Sequence, residues 1–177
     1  HDALPIYTHH EELFDDFARQ PTLPKRLSQL GPGVCWGDFN GDGWDDLAIA
    51  SGKGGTLAVF LNDGRGGFLP GREPWRDQPA TRDQTAVLAW ARGTNPPVLL
   101  VGAANYEGES AAGASVLAYE LGSGKVVDAV PGAEASVGAL AMADLDGDGT
   151  LDLFVGGRVQ GGKHPQAVSS RIYRGQG

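Results

Sequence analysis

The chain has 177 residues, which suits one modest domain with a hydrophobic core. Its 28 glycines and 11 prolines favour tight turns and short strands over long helices. The net charge of −8, without a cluster of Lys or Arg, argues against a nucleic-acid partner. No apolar run approaches the ~20 residues of a membrane span, and the single cysteine, Cys35, excludes an intrachain disulfide.

The N-terminal region, residues 1–32, is predicted to form a short helix and an extended lead-in. Thr8 and Glu11 have the spacing of a helix capping box, so an amphipathic helix is expected at about 9–19, ended by Pro21. Its acidic residues are expected to be solvated near the positive end of the helix dipole; they are Glu11, Glu12, Asp15 and Asp16.

Two nine-residue stretches, 38–46 and 144–152, carry the densest polar pattern. Each has oxygen-bearing side chains at positions 1, 3, 5 and 9, glycine at position 6 and an inward carbonyl expected at position 7. A hard cation that takes six to eight oxygens at about 2.3–2.6 Å needs such a loop, and it offsets the repulsion between the carboxylates. The sequence therefore predicts two calcium sites. The predicted ligands are Asp38, Asn40, Asp42, the Trp44 carbonyl and Asp46, and Asp144, Asp146, Asp148, the Thr150 carbonyl and Asp152.

The chain repeats from Gly33 onward, with about four short strands in each unit. Trp36, Trp90 and Met142 mark equivalent positions spaced 54 and 52 residues apart. This period predicts an all-β fold of three β-propeller blades, at about 33–80, 84–132 and 136–177. Trp36 and Trp90 should then be buried in the core or between blades.

The middle and last units depart from the first. Residues 92–97 replace the metal loop in the middle unit and carry no carboxylate, and two prolines are expected to hold this turn rigid without an ion. The third unit lacks an outer strand. An EF-hand is excluded because position 12 would be Ile49 or Val155 instead of Glu, and a calcium-rich β-helix has far shorter repeats.

Three blades do not close a ring, which takes four to eight blades. We expect the open strand edges to be completed by self-association, by a protein partner or by further chain, and residues 3–7 could supply one edge strand. The chain begins with His1 and lacks a signal-peptide apolar region, so we interpret it as a mature, trimmed or fragmentary product.

The Asp-Leu pair that follows each loop, in 46–50 and 152–156, resembles the FG-GAP or VCBS repeat. That repeat is a calcium-loop propeller blade, also found in integrin α-chain heads, and the likeness covers about residues 33–177. A narrower set of segments is similar to bacterial secreted or surface proteins that combine VCBS repeats with an ASPIC/UnbV domain; they are 10–11, 14–17, 21–24, 27–28, 31–32, 156–158 and 169–174. The resemblance implies that the loop side chains hold calcium and that the middle repeat does not.

These observations predict a calcium-stabilised, non-catalytic module for binding, adhesion or assembly, with a subunit of an extracellular filament as a special case. Millimolar calcium outside cells suits weak carboxylate loops, so we expect a secreted or cell-surface location, with the periplasm as the alternative. A protein or carbohydrate is the expected partner. Trp44 and Trp75 suit sugar stacking or a protein contact, although packing against a neighbouring blade is the favoured interpretation.

The alternative is part of a propeller-based polysaccharide lyase or hydrolase, which would need an acid and a base in a cleft. The available side chains form no recognisable constellation; they are His9, His10, Tyr106, Glu107 and His164. We expect His9 and His10 to be exposed, Cys35 to pack as a small hydrophobe, and no serine to act as a nucleophile.

Overall fold

The computed structural model describes residues 7–29, 31–93, 95–108 and 113–175. In this part of the chain, eleven strands form three antiparallel sheets, each built from strands that follow one another in sequence. Only α1 (Asp16–Arg19) and a 3-10 turn (Pro74–Asp77) are helical there. Neither described helix is long and apolar enough to cross a membrane. The predicted all-β fold is confirmed.

Each sheet is one propeller-like blade. Blade 1 contains β1 (Val34–Gly37), β2 (Asp46–Ile49), β3 (Ala58–Asn62) and β4 (Phe68–Pro70). Blade 2 contains β5 (Gln84–Arg92), β6 (Asn95–Ala103), β7 (Val116–Glu120) and β8 (Val126–Val130). Blade 3 contains β9 (Ser136–Ala143), β10 (Asp152–Val159) and β11 (Arg171–Tyr173). The described strands form no closed ring, and the third blade has three strands, as the repeat predicts.

The blades stack face to face through alternating side chains. Ala48 of β2 and Leu99 of β6 lie in the cluster buried between blades 1 and 2. Leu100, the next residue on β6, lies with Leu153 of β10 in the cluster between blades 2 and 3. Because successive residues of a strand point to opposite faces, blade 2 contributes to both interfaces.

The N-terminal helix is shorter than its capping box predicts. Residues 7–15 form no helix, and α1 starts after Asp15, whose Oδ1 accepts the N–H groups of Phe17 and Ala18 at 3.1 and 2.9 Å. Thr8 is therefore not the N-cap. The preceding segment is held by blade 1 instead: the His10 carbonyl accepts the N–H of Gly52 at 3.1 Å. The proposed strand at 3–7 lies outside the described residues except for Tyr7.

Asp16 is fully buried, so the prediction of a solvated acidic face is wrong for this residue. Its carboxylate accepts the N–H groups of Leu27 and Ser28 at 2.7 and 2.9 Å, and the Ser28 hydroxyl at 2.6 Å. Burial alone would raise the pKa of Asp16, but these hydrogen bonds bring it below its ordinary value. Asp16 thus fixes α1 to the lead-in.

The tryptophans are not all buried as expected. Trp75 is fully buried between blades 1 and 2, with its ring edge-on to Tyr119 at 5.3 Å, so packing between blades is confirmed for it. Trp90 packs against the cluster between blades 2 and 3. Trp36 is 56% exposed and touches only the edge of Phe68 among aromatic rings. Its predicted burial is wrong because, in the described chain, no blade covers that face of blade 1.

Candidate metal centres

The two carboxylate loops occupy the same corner of their blades. Loop 1 (residues 38–46) joins β1 to β2, and loop 3 (residues 144–152) joins β9 to β10. The strand pairs close directly beneath the loops, at Gly37 opposite Asp46 and at Ala143 opposite Asp152. Each loop is therefore a long hairpin connection held at its base by the sheet.

The first aspartate organises each loop. The Asp38 carboxylate accepts the N–H groups of Gly41 and Gly43 at 2.7 and 2.9 Å. Asp144 accepts those of Gly147 and Gly149 at the same two distances. Hydrogen bonds from the backbone, led by that of Gly43, lower the pKa of Asp38 and favour its charged form.

The backbone conformation at position 6 explains why both loops have glycine there. Gly43 and Gly149 have φ values of +87° and +85°, in the left-handed region that other residues rarely adopt. This turn curls the loop so that alternate side chains converge. In loop 3, Asp144, Asp146 and Asp148 each offer a carboxylate oxygen within 4.8 Å of the others.

The amide at position 3 gives loop 1 a different internal contact. Asn40 donates from Nδ2 to Asp42 Oδ2 at 2.9 Å. In loop 3, the aspartate at this position, Asp146, forms an ion pair with the exposed Arg174, which follows β11. The two loops thus share a backbone path but differ in local charge, since a guanidinium accompanies loop 3.

The last aspartate of each loop has a second role. Asp46 is fully buried and accepts the N–H groups of Phe39 and Asn62, both at 2.8 Å. Asp152 likewise accepts those of Leu145 and Gly175, at 3.1 and 3.0 Å. Each carboxylate therefore ties the start of its loop to the end of the third strand. Its role as a direct metal ligand stays a prediction.

Trp44 lies at the rim of loop 1. Its ring is 54% exposed and rests on the turn between β3 and β4, where a Cβ added to Gly64 would lie 2.7 Å from the indole Nε1. Trp44 therefore packs on its own blade, and the favoured interpretation of packing against a neighbouring blade is wrong for it.

Blade 2 has a tight hairpin where the other blades have loops. β5 ends at Arg92 and β6 begins at Asn95, so Pro96 and Pro97 lie within β6 instead of forming the predicted rigid turn. The register is irregular beside them, which is where a strand tolerates proline. That the middle repeat binds no metal stays a prediction.

A second acidic group was not predicted because its members come from distant segments. Glu11, Asp83 and Glu107 each offer a carboxylate oxygen within 4.8 Å of the others. Burial, together with repulsion from Asp83 and Glu11, raises the pKa of Glu107 to about 7. His9 Nε2 lies 3.0 Å from Glu11 Oε2, and the N–H of Lys53 donates to Asp83 Oδ1 at 2.8 Å.

The structure therefore brings two of the five candidate catalytic side chains, His9 and Glu107, to one cluster. The others lie elsewhere: His10 is exposed, Tyr106 is buried against Phe14, and the backbone of His164 is held by Gln20. Nothing in the local sequence spacing marks this cluster, because it forms only when the N-terminal segment crosses onto the blades.

Comparison with known proteins identifies one family. Residues 38–94, about a third of the chain, match the model of the FG-GAP-like repeat. The match begins at loop 1 and ends at the β5–β6 hairpin, so it covers one period of the repeat. Searches of curated proteins and of solved structures gave no match. The predicted FG-GAP/VCBS-type repeat is confirmed, whereas the likeness to proteins with an ASPIC/UnbV domain stays a prediction.

Proposed function

We propose that this FG-GAP-like repeat protein is a calcium-stabilised, non-catalytic propeller module that acts by binding, adhesion or assembly outside the cytoplasm. The observation that carries the proposal is the matched pair of loops, in which Asp38 and Asp144 accept equivalent backbone hydrogen bonds. FG-GAP repeat domains are typically non-catalytic and often extracellular, which supports both parts of the proposal.

The donor set fits calcium in kind. The side chains that converge in each loop offer carboxylate and amide oxygens, which a hard cation prefers, and the loops are exposed at a corner of the blade. A cation would offset the repulsion among Asp144, Asp146 and Asp148, which no neutral partner can do. The ligands we propose are those predicted from the sequence, including the carbonyls of Trp44 and Thr150.

We assign calcium a structural role. Each loop is closed at its base by the sheet and tied to the third strand by Asp46 or Asp152. An ion bound only by the folded blade contributes its binding free energy to folding, about 2.7 kcal/mol at a concentration of 100 times the dissociation constant. The ion would therefore stabilise the corner of the blade and leave its faces free for partners.

Calcium titration and thermal unfolding test this proposal. We expect two sites by calorimetric titration, and a melting temperature that falls in EDTA and recovers with calcium. Asp144→Ala should reduce the stoichiometry to one site. The matched control is Asp45→Ala, which removes a loop carboxylate that is not a predicted ligand. An identical melting temperature with and without calcium would contradict the proposal.

Part of a polysaccharide lyase or hydrolase is the second candidate. It is favoured by one observation, the raised pKa of Glu107 beside Asp83, because a general acid or base works best with a pKa near the operating pH. Incubation with acidic and neutral polysaccharides discriminates: turnover abolished by Glu107→Gln would support the enzyme.

A further inference from the structure

The carboxylates of Glu11, Asp83 and Glu107, which we call the acidic cluster, meet at the end of the blades opposite to the metal loops. Asp83 directly precedes Gln84, the first residue of β5, whereas the hairpin equivalent to the loops follows Arg92, the last residue of that strand. The 9 residues of β5, at about 3.3 Å each, separate the two ends by roughly 25 Å. An ion at the acidic cluster would therefore be distinct from an ion in either loop.

Asp83 is the most deeply buried member of the acidic cluster, at 5% exposure. Its Oδ1 accepts the N–H of Lys53, in the β2–β3 connection, and its backbone carbonyl accepts the N–H of Ala104, which follows β6, both at 2.8 Å. These two bonds fix Asp83 between blades 1 and 2. Its second carboxylate oxygen, Oδ2, accepts no hydrogen bond from the described part of the chain.

The other two members leave buried oxygens unpaired. Oε1 of Glu11 and Oε1 of Glu107 are buried and accept no hydrogen bond within the described ranges. A buried carboxylate oxygen without a partner is costly, because nothing replaces the water that it has lost. The three carboxylates also repel one another, since their oxygens lie within 4.8 Å. The acidic cluster therefore lacks a cationic or hydrogen-bonding partner for these oxygens.

The neighbouring basic side chains do not supply this partner. The Lys53 ammonium lies 2.9 Å from a carboxylate oxygen of Glu12, outside the acidic cluster. The Arg82 guanidinium donates to a backbone carbonyl ahead of β7. His9 Nε2 lies 3.0 Å from Glu11 Oε2, which leaves Oε1 of the same carboxylate unpaired. One imidazole thus contacts the three carboxylates among the described residues, so the acidic cluster keeps a net negative charge even when His9 is protonated.

A cavity of about 80 Å³ adjoins the acidic cluster, and Asp83 and Glu107 line it. It has room for at least two water molecules, each of which occupies roughly 30 Å³ in the liquid. A hard divalent cation takes six to eight oxygen ligands, which three carboxylates and these waters can supply. Calcium accepts several carboxylates, whereas magnesium keeps most of its water shell, so the ligand set favours calcium.

Contacts on both sides of Glu11 hold the N-terminal segment in place. The His10 carbonyl lies so close to Gly52, which donates to it, that a Cβ added to Gly52 would lie 2.4 Å from that oxygen. Phe14 packs edge-on against Tyr106 in the β6–β7 connection, with 5.9 Å between the ring centres. These contacts position the Glu11 carboxylate before an ion binds, which lowers the entropic cost of binding.

We propose that the acidic cluster is a calcium site separate from both loops, and that its ion clamps the N-terminal segment onto the junction of blades 1 and 2. The three ligands come from three parts of the chain: the N-terminal segment, the connection between the two blades, and the β6–β7 connection. The site goes beyond the proposed function, since the loops account for two ions and the acidic cluster adds one.

Calorimetric titration with calcium is the first test, at a pH above the pKa of Glu107, about 7, so that a proton does not compete. The chain carries Asp38→Ala and Asp144→Ala, which disable the loops, and we expect it to bind one ion. Adding Glu107→Gln should weaken this binding at least roughly tenfold, because loss of even a group that supports a ligand costs that much. The matched control is Glu134→Gln, an exposed carboxylate at the same end of the blades.

Hydrogen exchange of the chain with intact loops is the second test, and it does not depend on how well the loop variants fold. Calcium should slow exchange in residues 8–15 and at the Gly52 amide. Glu107→Gln should abolish this effect, keep the slower exchange that calcium causes in residues 38–46 and 144–152, and return the stoichiometry from three ions to two. Exchange in residues 8–15 that calcium leaves unchanged, or calcium binding that Glu107→Gln leaves unchanged, would overturn the proposal.

The same measurements separate this site from the loops and calcium from magnesium. Calcium binding by the loops, with no effect of Glu107→Gln, would contradict the acidic cluster alone. One ion lost through Glu107→Gln and none through Asp144→Ala would contradict the loop site alone. Slower exchange in residues 8–15 with magnesium and not with calcium would overturn the assignment of the ion.

Discussion

Replacing Asp46 with alanine should separate the anchoring role of this carboxylate from any role as a metal ligand. Asp46 is fully buried, and its two oxygens accept the N–H groups of Phe39 and Asn62 at 2.8 Å. Removing the carboxylate leaves two donors without their acceptor. Each buried donor left unpaired costs roughly 1–3 kcal/mol, and the cost is smaller at the partly buried Asn62. The free energy of unfolding should therefore fall by about 2–4 kcal/mol.

The assay is thermal unfolding in EDTA and again in saturating calcium. For a chain of this size, 1 kcal/mol shifts the melting temperature by about 2–4 °C, so Asp46→Ala should lower it by roughly 5–15 °C even in EDTA. Asp38→Ala, at a partly exposed carboxylate whose hydrogen bonds water can replace, should act mainly in calcium. The matched control is the exposed neighbour Asp45→Ala, which should change little in either condition.

Either of two results would contradict this account of Asp46. If Asp46→Ala melts like Asp45→Ala in EDTA, the hydrogen bonds to Phe39 and Asn62 contribute nothing measurable. If Asp46→Ala also loses the whole response to calcium while Asp38→Ala keeps it, the ion is held by the last aspartate of the loop and not by the first.

Three further predictions follow from individual contacts. Arg174→Gln should strengthen calcium binding at loop 3 by up to about fivefold, because the exposed ion pair between Arg174 and Asp146 contributes about 0.2–1 kcal/mol. Titration calorimetry measures the change in affinity, and Arg171→Gln is the control. Glu107 has a folded pKa of about 7, above its ordinary 4.5, so the stability it contributes is present below pH 4.5 and is lost as the pH rises through 7. Glu107→Gln should flatten that part of the stability profile in urea titrations, and an unchanged profile would contradict the assignment. Asp16→Ala should lower the free energy of unfolding by about 3 kcal/mol, because it leaves two buried N–H groups unpaired. The cap variant Asp15→Ala should lower it by about 1 kcal/mol. Equal losses for the two variants in urea unfolding would refute the anchoring role of Asp16.

The repeat could be predicted because its signals are local and occur more than once. A carboxylate loop followed by Asp-Leu marks the start of β2 and of β10, and apolar runs at the same spacing mark β5 and β6. Strand boundaries follow because alternation of side chains and turn residues is a property of neighbouring positions. The same local logic identifies the glycines with positive φ in both loops.

The errors occur where distant contacts override local preference. Thr8 and Glu11 have the spacing of a capping box, yet the segment is held by a hydrogen bond from Gly52 and by the contact of Tyr7 with Phe60. No helix forms there because tertiary contacts outweigh a propensity worth about 1 kcal/mol. The cluster of Glu11, Asp83 and Glu107 was missed for the same reason, since its members meet only in the folded chain.

The exposure of the tryptophans depends on topology, which the repeat alone does not fix. The predicted equivalence of Trp36 and Trp90 is wrong by one residue: Trp36 pairs with Leu47, whereas Trp90 pairs with Val98 and packs on the opposite face, against the cluster between blades 2 and 3. The residue of blade 2 that corresponds to Trp36 is Ala89. Trp75, in a polar linker, is buried because the 3-10 turn at Pro74–Asp77 carries it between two sheets, beside Tyr119. The environment of such a residue depends on which face of the blade it occupies and on what packs there, and a window of sequence reports neither.

The positions of the loops and of the open faces are related. Blade 2, packed on both sides, joins its first two strands by a hairpin without a carboxylate, whereas blades 1 and 3, each packed on one side, have the acidic loops. A sheet with one covered face buries less apolar area and gains less stability from packing. A bound ion would offset this deficit at the inner strands, the same strands that contain Trp36 and Ala141.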